Sequence, residues 1–402
     1  MKKRIVLLTH FYPPEPCAAA NRAQSLVRAL LTEGNDVTVV TSFPSFPSRC
    51  LQAGDAWRFS RLEETDGARV VRLFTATLRG LPGARLLHWV CSALAASVFL
   101  LTTRRRFDSI IVTMPPITLA LPALVGSIRH GAKLVVDVRD VYPDIAIAMG
   151  EWREGSFLAR ATEWVARLLY RRAALVTAVT PTALRQIGSR GVPENRLLLA
   201  PNGCEAPESR PPARVREDCK FVALYAGNLG LASDLDVLLD AANLLRADER
   251  IELWIAGDGV EGDRVRKRVA DEHLVNVQLL GALSRAAAMQ TTADADIALV
   301  PLRKGIGESI PTKIFDALSV GCPVLVAAEG EARNTALASR GGIVISPGDA
   351  RALAKALSRL AALNKNTLRA SGERGRSYVV KFYLRDTIMM GYSRRIAALM
   401  QP

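Results

Sequence analysis

The chain has 402 residues, with 53 Lys and Arg against 39 Asp and Glu for a net charge of +14, and it is 23% charged and 49% hydrophobic. These values exclude a disordered segment and a polytopic membrane protein, and the length suits two ordinary domains. The basic surplus suits phosphorylated substrates, anionic lipid or nucleic acid, but no basic tail, zinc-ligand spacing or interleaved aromatic stripe supports a nucleic-acid module.

Lys2, Lys3 and Arg4 precede an apolar run that is too short for a secretory leader and lacks a small-residue cleavage site. The run is read as a first strand. Six cysteines, at 17, 50, 91, 204, 219 and 322, are scattered without a C-x-x-C pair, the usage of a reducing compartment. A cytoplasmic protein is expected.

Predicted strands are Ile5–Thr9, Val37–Thr41, Val70–Phe74, Ser109–Thr113, Lys133–Asp137, Leu175–Val179 and Leu197–Ala200, then Phe221–Tyr225, Glu252–Ala256, Asn276–Leu280, Ile297–Val300, Pro323–Ala327 and Gly342–Ile345. Helices such as Asn21–Glu33, Asp234–Leu245 and Ala350–Ala362 separate them. Near-continuous apolar strands alternating with helices imply parallel sheets covered on both faces. The strands are too many for one sheet of normal size, so the fold class is α/β with two doubly wound, Rossmann-like domains. The predicted boundaries are 1–202, a Pro-rich polar linker at 203–218, a second domain at 219–376 and a final amphipathic helix at 377–402.

Ligands of such sheets bind beyond the carboxyl ends of the strands, and the chemistry-bearing motifs fall there. After the first strand comes His10-Phe-Tyr12-Pro-Pro, stiffened by prolines, with Asn21 as a candidate helix cap. After Lys133–Asp137 comes Arg139-Asp140-Val-Tyr-Pro-Asp144. Several carboxylates around one guanidinium are costly unless paired or used. Asp140 is the candidate base for an acceptor hydroxyl, and Asp137 could equally be a structural partner. Gly227-Asn228-Leu-Gly230 would let backbone N–H groups approach phosphate, and Gly281-Ala-Leu283 would line an apolar slot for a base. Asp294-Ala-Asp296 has the form of a D-x-D metal motif but precedes a strand, so it is read as a helix-to-strand turn and no metal is expected.

The most informative stretch is Glu308-Ser309-Ile310-Pro311-Thr-Lys313-Ile-Phe-Asp316. Pro311 suits a helix start. The uncapped helix N-terminus then faces the loop carrying Glu308, a site for an anionic, hydroxyl-rich ligand such as a sugar nucleotide.

Taken in order, His10–Pro14, Arg139–Pro143, Pro201–Gly203, Gly227–Gly230, Glu308–Asp316 and Gly321–Pro323 resemble the retaining glycosyltransferases of family 4, with GT-B architecture, of the bacterial O-antigen and exopolysaccharide type. The resemblance implies two Rossmann-like domains facing a cleft, with the last helix crossing back to the first domain. It also implies a nucleotide-diphospho-sugar donor, UDP-linked or similar, bound as substrate without a cofactor. Glu308 would meet the donor sugar hydroxyls, Asp316 the ribose, and the Ser309 and Ile310 amides the diphosphate. His10, Tyr12, Arg139 and Asp144 would lie on the acceptor side. Two departures stand out. The second helix-loop acid is Asp316 where the family usually has Glu, and the usual Arg and Lys for the leaving diphosphate are Asn228 and Ser233. A leaving diphosphate needs positive charge, for which Arg303, Lys304 and Lys313 are the candidates.

Leu86–Thr103 is nearly all apolar and is followed by Arg104-Arg105-Arg106. As a helix it would be roughly 27 Å long, borderline for a span. It is read as lying on an anionic membrane surface, with the alternative of a buried domain helix. The expected reaction moves a sugar, such as an N-acetylated deoxy-hexose, to a polyprenyl-linked saccharide at the inner face of the plasma membrane. The alternatives are a sugar-nucleotide 2-epimerase of the same fold and an inactive homologue that scaffolds assembly.

Overall fold

Ile5, Val6, Leu7 and Leu8 are completely buried, because the strand they form is covered on both faces. The computed structural model describes residues 2–15, 17–45, 55, 58–76, 83–205, 211 and 220–401. The chain divides into two units, Met1–Asn202 with Arg385–Pro402, and Gly203–Leu384.

The first unit runs β1 (Arg4–Leu8), α1 (Ala18–Thr32), β2 (Asp36–Ser42), β3 (Ser60–Thr65), β4 (Ala68–Leu73), α2 (Ala84–Thr102), β5 (Ser109–Met114), α3 (Ala120–His130), β6 (Lys133–Val138), α4 (Asp144–Ala148), α5 (Phe157–Arg172), β7 (Leu175–Ala178), α6 (Pro181–Ser189) and β8 (Leu197–Leu199). Its sheet has the order β3-β4-β2-β1-β5-β6-β7-β8. All pairs are parallel except β3 with β4.

The second unit runs β9 (Phe221–Ala226), α7 (Leu235–Leu244), β10 (Ile251–Ala256), α8 (Gly262–Asp271), β11 (Val277–Gly281), α9 (Arg285–Asp294), β12 (Ile297–Pro301), α10 (Thr312–Ser319), β13 (Val324–Ala327), α11 (Gly330–Ser339), β14 (Gly342–Ile345), α12 (Ala350–Ala361) and α13 (Lys365–Phe382). Its parallel sheet has the order β11-β10-β9-β12-β13-β14. In both sheets the order reverses at one point, between β1 and β5 and between β9 and β12. These are the switch points where doubly wound sheets leave room for a ligand.

Four features differ from the sequence-based expectation. The final amphipathic helix expected over 377–402 is two helices, α13 and α14 (Arg385–Leu399). Between them Leu384 bridges to Cys204, whose N–H donates to the Tyr383 carbonyl at 2.8 Å, and this strand-like contact interrupts the helix. Met389, Tyr392 and Ile396 of α14 join Leu26, Val27 and Leu30 of α1 in the core of the first unit. Second, β3 is an added edge strand, paired to β4 through Asp66-Gly67, both at positive φ. Third, α1 starts at Ala18 with Cys17 as its cap. Asn21 therefore lies inside the helix, because three strongly helix-forming alanines extend it by a turn. Fourth, the expected linker falls largely on 206–210 and 212–219, outside the described residues.

Asp294 and Asp296 span the turn from α9 into β12, where Asp296 accepts the Val222 N–H at 2.8 Å. They lie at the amino end of the strand, as expected of a structural turn. Among the described residues, no helix is long and apolar enough to cross a membrane.

Candidate functional site

In the second unit, the loops after β9, β10 and β11 close on one another beside the switch point. The Gly227 N–H donates to the Ala256 carbonyl, Leu229 N–H to Asp258 and Gly257 N–H to Gly281, at 2.9, 3.0 and 2.7 Å. Such contact requires glycine. A Cβ on Gly257 would stand 1.9 Å from the Gly227 carbonyl oxygen, and one on Gly259 2.5 Å from that of Leu229. Gly257-Asp258-Gly259 looks like an ordinary turn in the sequence, yet it is what braces the Gly227–Gly230 loop.

The Tyr225 hydroxyl donates to the Asn228 carbonyl at 2.6 Å and lies 2.9 Å from the Ser233 hydroxyl. Ser233 is buried, so this hydroxyl supports the loop from behind. The positive charge at this turn comes from α10. Lys313 Nζ lies 4.0 Å from the centroid of the Tyr225 ring, and 3.3 Å from where a Gly227 Cβ would be. Of the other candidate cations, Arg303 lies near Asp234, whose carboxyl burial pushes up and Arg303 only partly pulls back. Lys304 is exposed in the following turn.

The loop from β12 to α10 is tied at both ends. Arg303 N–H donates to the Ala232 carbonyl at 3.1 Å, and Glu331 N–H donates to the Gly307 carbonyl at 2.8 Å. Between these ties and Pro311 lie Glu308 and Ser309, both half-buried, and Ile310, which is buried in the core. Pro311 caps α10 without a side-chain hydrogen bond, so the first N–H groups of the helix keep their affinity for an anion. Asp316, farther along α10, faces Arg285, whose guanidinium also pairs with Glu205; the two distances are 3.5 and 3.0 Å. Sequence reasoning missed Arg285, because its position at the start of α9 gives no local signal of a partner on α10. Leu283 packs half-buried on the core beneath, while Gly281 is exposed at the end of β11.

At the switch point of the first unit the Thr113 hydroxyl donates to that of Thr9 at 3.1 Å, linking β5 to the loop after β1. His10 is buried against His88 and Trp89, with ring centroids 5.0 and 6.5 Å away. Burial, reinforced by His88, pushes its pKa down to about 3, so this imidazole is neutral at physiological pH. Tyr12 is completely buried against α1, a core position that cannot face a ligand. Asp137 has the structural role left open in the sequence. Arg22 grips both its oxygens at 3.0 and 2.7 Å, and the Thr177 hydroxyl donates to it at 2.6 Å. Asp144 at the start of α4 pairs with Arg190 at 2.6 Å, and Arg190 also holds Glu163. Arg139 and Asp140 follow β6 half-buried. Burial pushes the Asp140 carboxyl up against the pull of the Arg139 guanidinium, and Arg139 Nε is buried with no hydrogen-bond partner among the described residues.

The structure thus gathers Gly227, Asn228, Gly230 and Lys313 at one switch point and holds Asp316 on the same helix as Lys313. It leaves Arg139 and Asp140 together beyond β6, takes Tyr12 into the core and pairs Asp144 with Arg190.

Comparison with known proteins finds one family domain in each unit. Residues 18–203 match the glycosyl transferase 4-like domain and residues 220–362 the glycosyl transferases group 1 model. WcaI of Escherichia coli strain K12, named as a colanic acid biosynthesis glycosyl transferase, is 26% identical over 339 residues, covering 79% of this chain and 81% of its own. Among solved structures, sucrose-phosphate synthase from Thermosynechococcus elongatus superimposes with a TM-score of 0.77 at 17% identity, covering 99% of each chain. Anabaena HepE in complex with UDP and glucose gives 0.71 at 17% identity, covering 98% of this chain and 100% of its own. The chain belongs to the glycosyltransferases of family 4, with the GT-B fold.

Proposed function

We propose that this glycosyltransferase acts in bacterial surface polysaccharide synthesis, moving a hexosyl or N-acetylhexosaminyl group, such as an N-acetylated deoxy-hexose, from a nucleotide-diphospho-sugar to a polyprenyl-linked saccharide. Retention at the anomeric carbon and independence of metal ions are part of the proposal. The name of the Escherichia coli relative supports the pathway class, and the UDP complex of the Anabaena neighbour supports a UDP-linked donor.

The observation that carries the reading is Lys313 against the Gly227 turn, on the helix whose N-terminus follows Glu308. An ammonium and a helix dipole end then face the place where diphosphate charge develops. In this reading Ser309 and Ile310 amides bind the diphosphate, Glu308 the sugar hydroxyls and Asp316 the ribose. The acceptor hydroxyl oxygen bonds to the anomeric carbon as the bond to the β-phosphate oxygen breaks, and its proton passes to the departing diphosphate on the same face. Arg139 and Asp140 orient the acceptor. The enzyme works at the cytoplasmic face of the membrane, with α2 and the arginines after it on the lipid surface.

A panel of sugar nucleotides tested by thermal unfolding identifies the donor, because a ligand of the native state raises Tm. NMR of the product glycoside then reads the anomeric configuration. The expected result is stabilisation by one nucleotide sugar and a product of unchanged configuration. An inverted product, or isomerisation of the donor without acceptor, contradicts the proposal.

A further inference from the structure

The three helices on one face of the first sheet leave an apolar groove that the donor site does not use. Val90 and Leu94 of α2, Ile117 in the turn before α3, Leu121 at its start, and Ala161 and Val165 of α5 line a groove of about 270 Å³. Thr118 also lines it, but its hydroxyl is spent on the Trp89 carbonyl. An apolar cavity of about 150 Å³ already holds a benzene molecule, so the groove has room for a stretch of hydrocarbon chain.

The surroundings narrow the occupant. On the outer side of α2 the apolar stripe continues through Val98 and Leu101, 59% and 49% exposed, and on α5 Trp164 is 66% exposed. Exposed apolar surface of this extent marks a contact with another molecule. Its α5 side is basic, with Arg160 and Arg167 exposed there, whereas Arg104, Arg106 and Arg129 lie farther off, where α2 and α3 lead into β5 and β6. The one acid on α5, Glu163, is held by Arg167 and Arg190. A second copy would bring the same positive side against itself, whereas a chain with an anionic headgroup complements it.

We infer that this groove binds the hydrocarbon chain of the lipid-linked acceptor, with the phosphate headgroup near Arg160 at the start of α5. The inference rests on the lipid-linked acceptor proposed above and adds a specific seat for its chain, distinct from adsorption on a bilayer. α2 packs Ala96 and Leu100 into the core beneath the sheet, so the groove is a fixed part of the domain.

The probe is farnesyl phosphate below its micellar concentration, titrated into the full chain and followed by tryptophan fluorescence. Saturable binding by the wild-type protein is expected. Ala161→Phe, which fills the groove, weakens it at least tenfold while sedimentation with phosphatidylglycerol vesicles stays unchanged. Leu121→Asn, at an exposed groove position, gives the same loss and serves if Ala161→Phe does not fold. The inference is overturned by wild-type binding to vesicles but not to farnesyl phosphate, by farnesyl phosphate binding that inorganic phosphate abolishes, or by equal binding in the variants. Because no donor is present, failure here leaves the donor-side reading standing, and failure of the nucleotide-sugar panel leaves this result standing.

Discussion

Lys313 Nζ lies 4.0 Å from the centre of the Tyr225 ring, joining the start of α10 to the end of β9. The aromatic ring and the Gly227 turn hold the ammonium at the end of β9. Lys313→Met keeps the stem and removes the charge. If Lys313 stabilises the leaving diphosphate, kcat falls on the order of 100-fold or more, with Lys313→Arg restoring part of it. Stability changes little, since a cation over an aromatic ring contributes only about 0.5–2 kcal/mol. Nucleotide release in steady state, alongside thermal unfolding, reads both.

Asp316 and Arg285 form a partly exposed pair, 24% and 41% accessible at 3.5 Å. Such pairs contribute about 0–1 kcal/mol to stability, so Arg285→Ala barely moves Tm. Asp316→Asn, in contrast, weakens UDP binding by roughly 10- to 100-fold if Asp316 binds the ribose as proposed, because a charge-assisted hydrogen bond contributes about 1.5–3 kcal/mol. Titration calorimetry with UDP separates the two effects.

Arg22 and Asp137 are 2% and 1% exposed. Removing one partner strands a buried charge, and Asp137→Ala is expected to cost about 3–5 kcal/mol of unfolding free energy. Burial alone would raise the Asp137 pKa, but the Arg22 guanidinium beside it holds the carboxyl below its ordinary value. The stability it supplies is therefore present above the unfolded carboxylate pKa and is lost as pH falls through the lower folded value. Denaturant unfolding between pH 5 and 2 follows this, and Asp137→Asn lacks that component.

His10 has the opposite ionic logic. Its pKa is pushed from 6.5 down to about 3, so between these values the unfolded chain binds a proton that the folded chain refuses. The neutral form supports the fold above pH 6.5, and stability declines as pH falls from there toward 3. His10→Phe should flatten unfolding free energy against pH over that window. A His10 ring that titrates near 6.5 by NMR in the folded protein would contradict the buried-neutral assignment.

The parallel strands were legible because each is a short, mainly apolar run, buried on both faces at the centres of the sheets, which a sequence displays directly. β3 was not: Ser60-Arg-Leu-Glu-Glu-Thr65 is a polar edge strand. Its signal lay in Asp66-Gly67, a dipeptide that favours a tight hairpin. The donor-side stretch Glu308–Asp316 was legible because Pro311 and the spacing of its charges are local. What the sequence could not display was which distant side chain reaches a given turn. Lys313 reaching Gly227, Arg285 reaching Asp316 and Arg190 taking Asp144 are all products of strand order. Tyr12 illustrates the same limit, since a polar-capable aromatic in a proline-rich loop carries no sign that it turns inward.

The central claim is that the loop from β12 to α10 holds the transferred sugar, with Glu308 on its hydroxyls. Turnover by Glu308→Gln, measured with the identified donor and acceptor in enzyme whose UDP affinity is intact, tests it most directly. Loss of a hydrogen bond to a charged group predicts kcat lower by about 10- to 100-fold. Unchanged turnover by a variant that still binds the donor would contradict it.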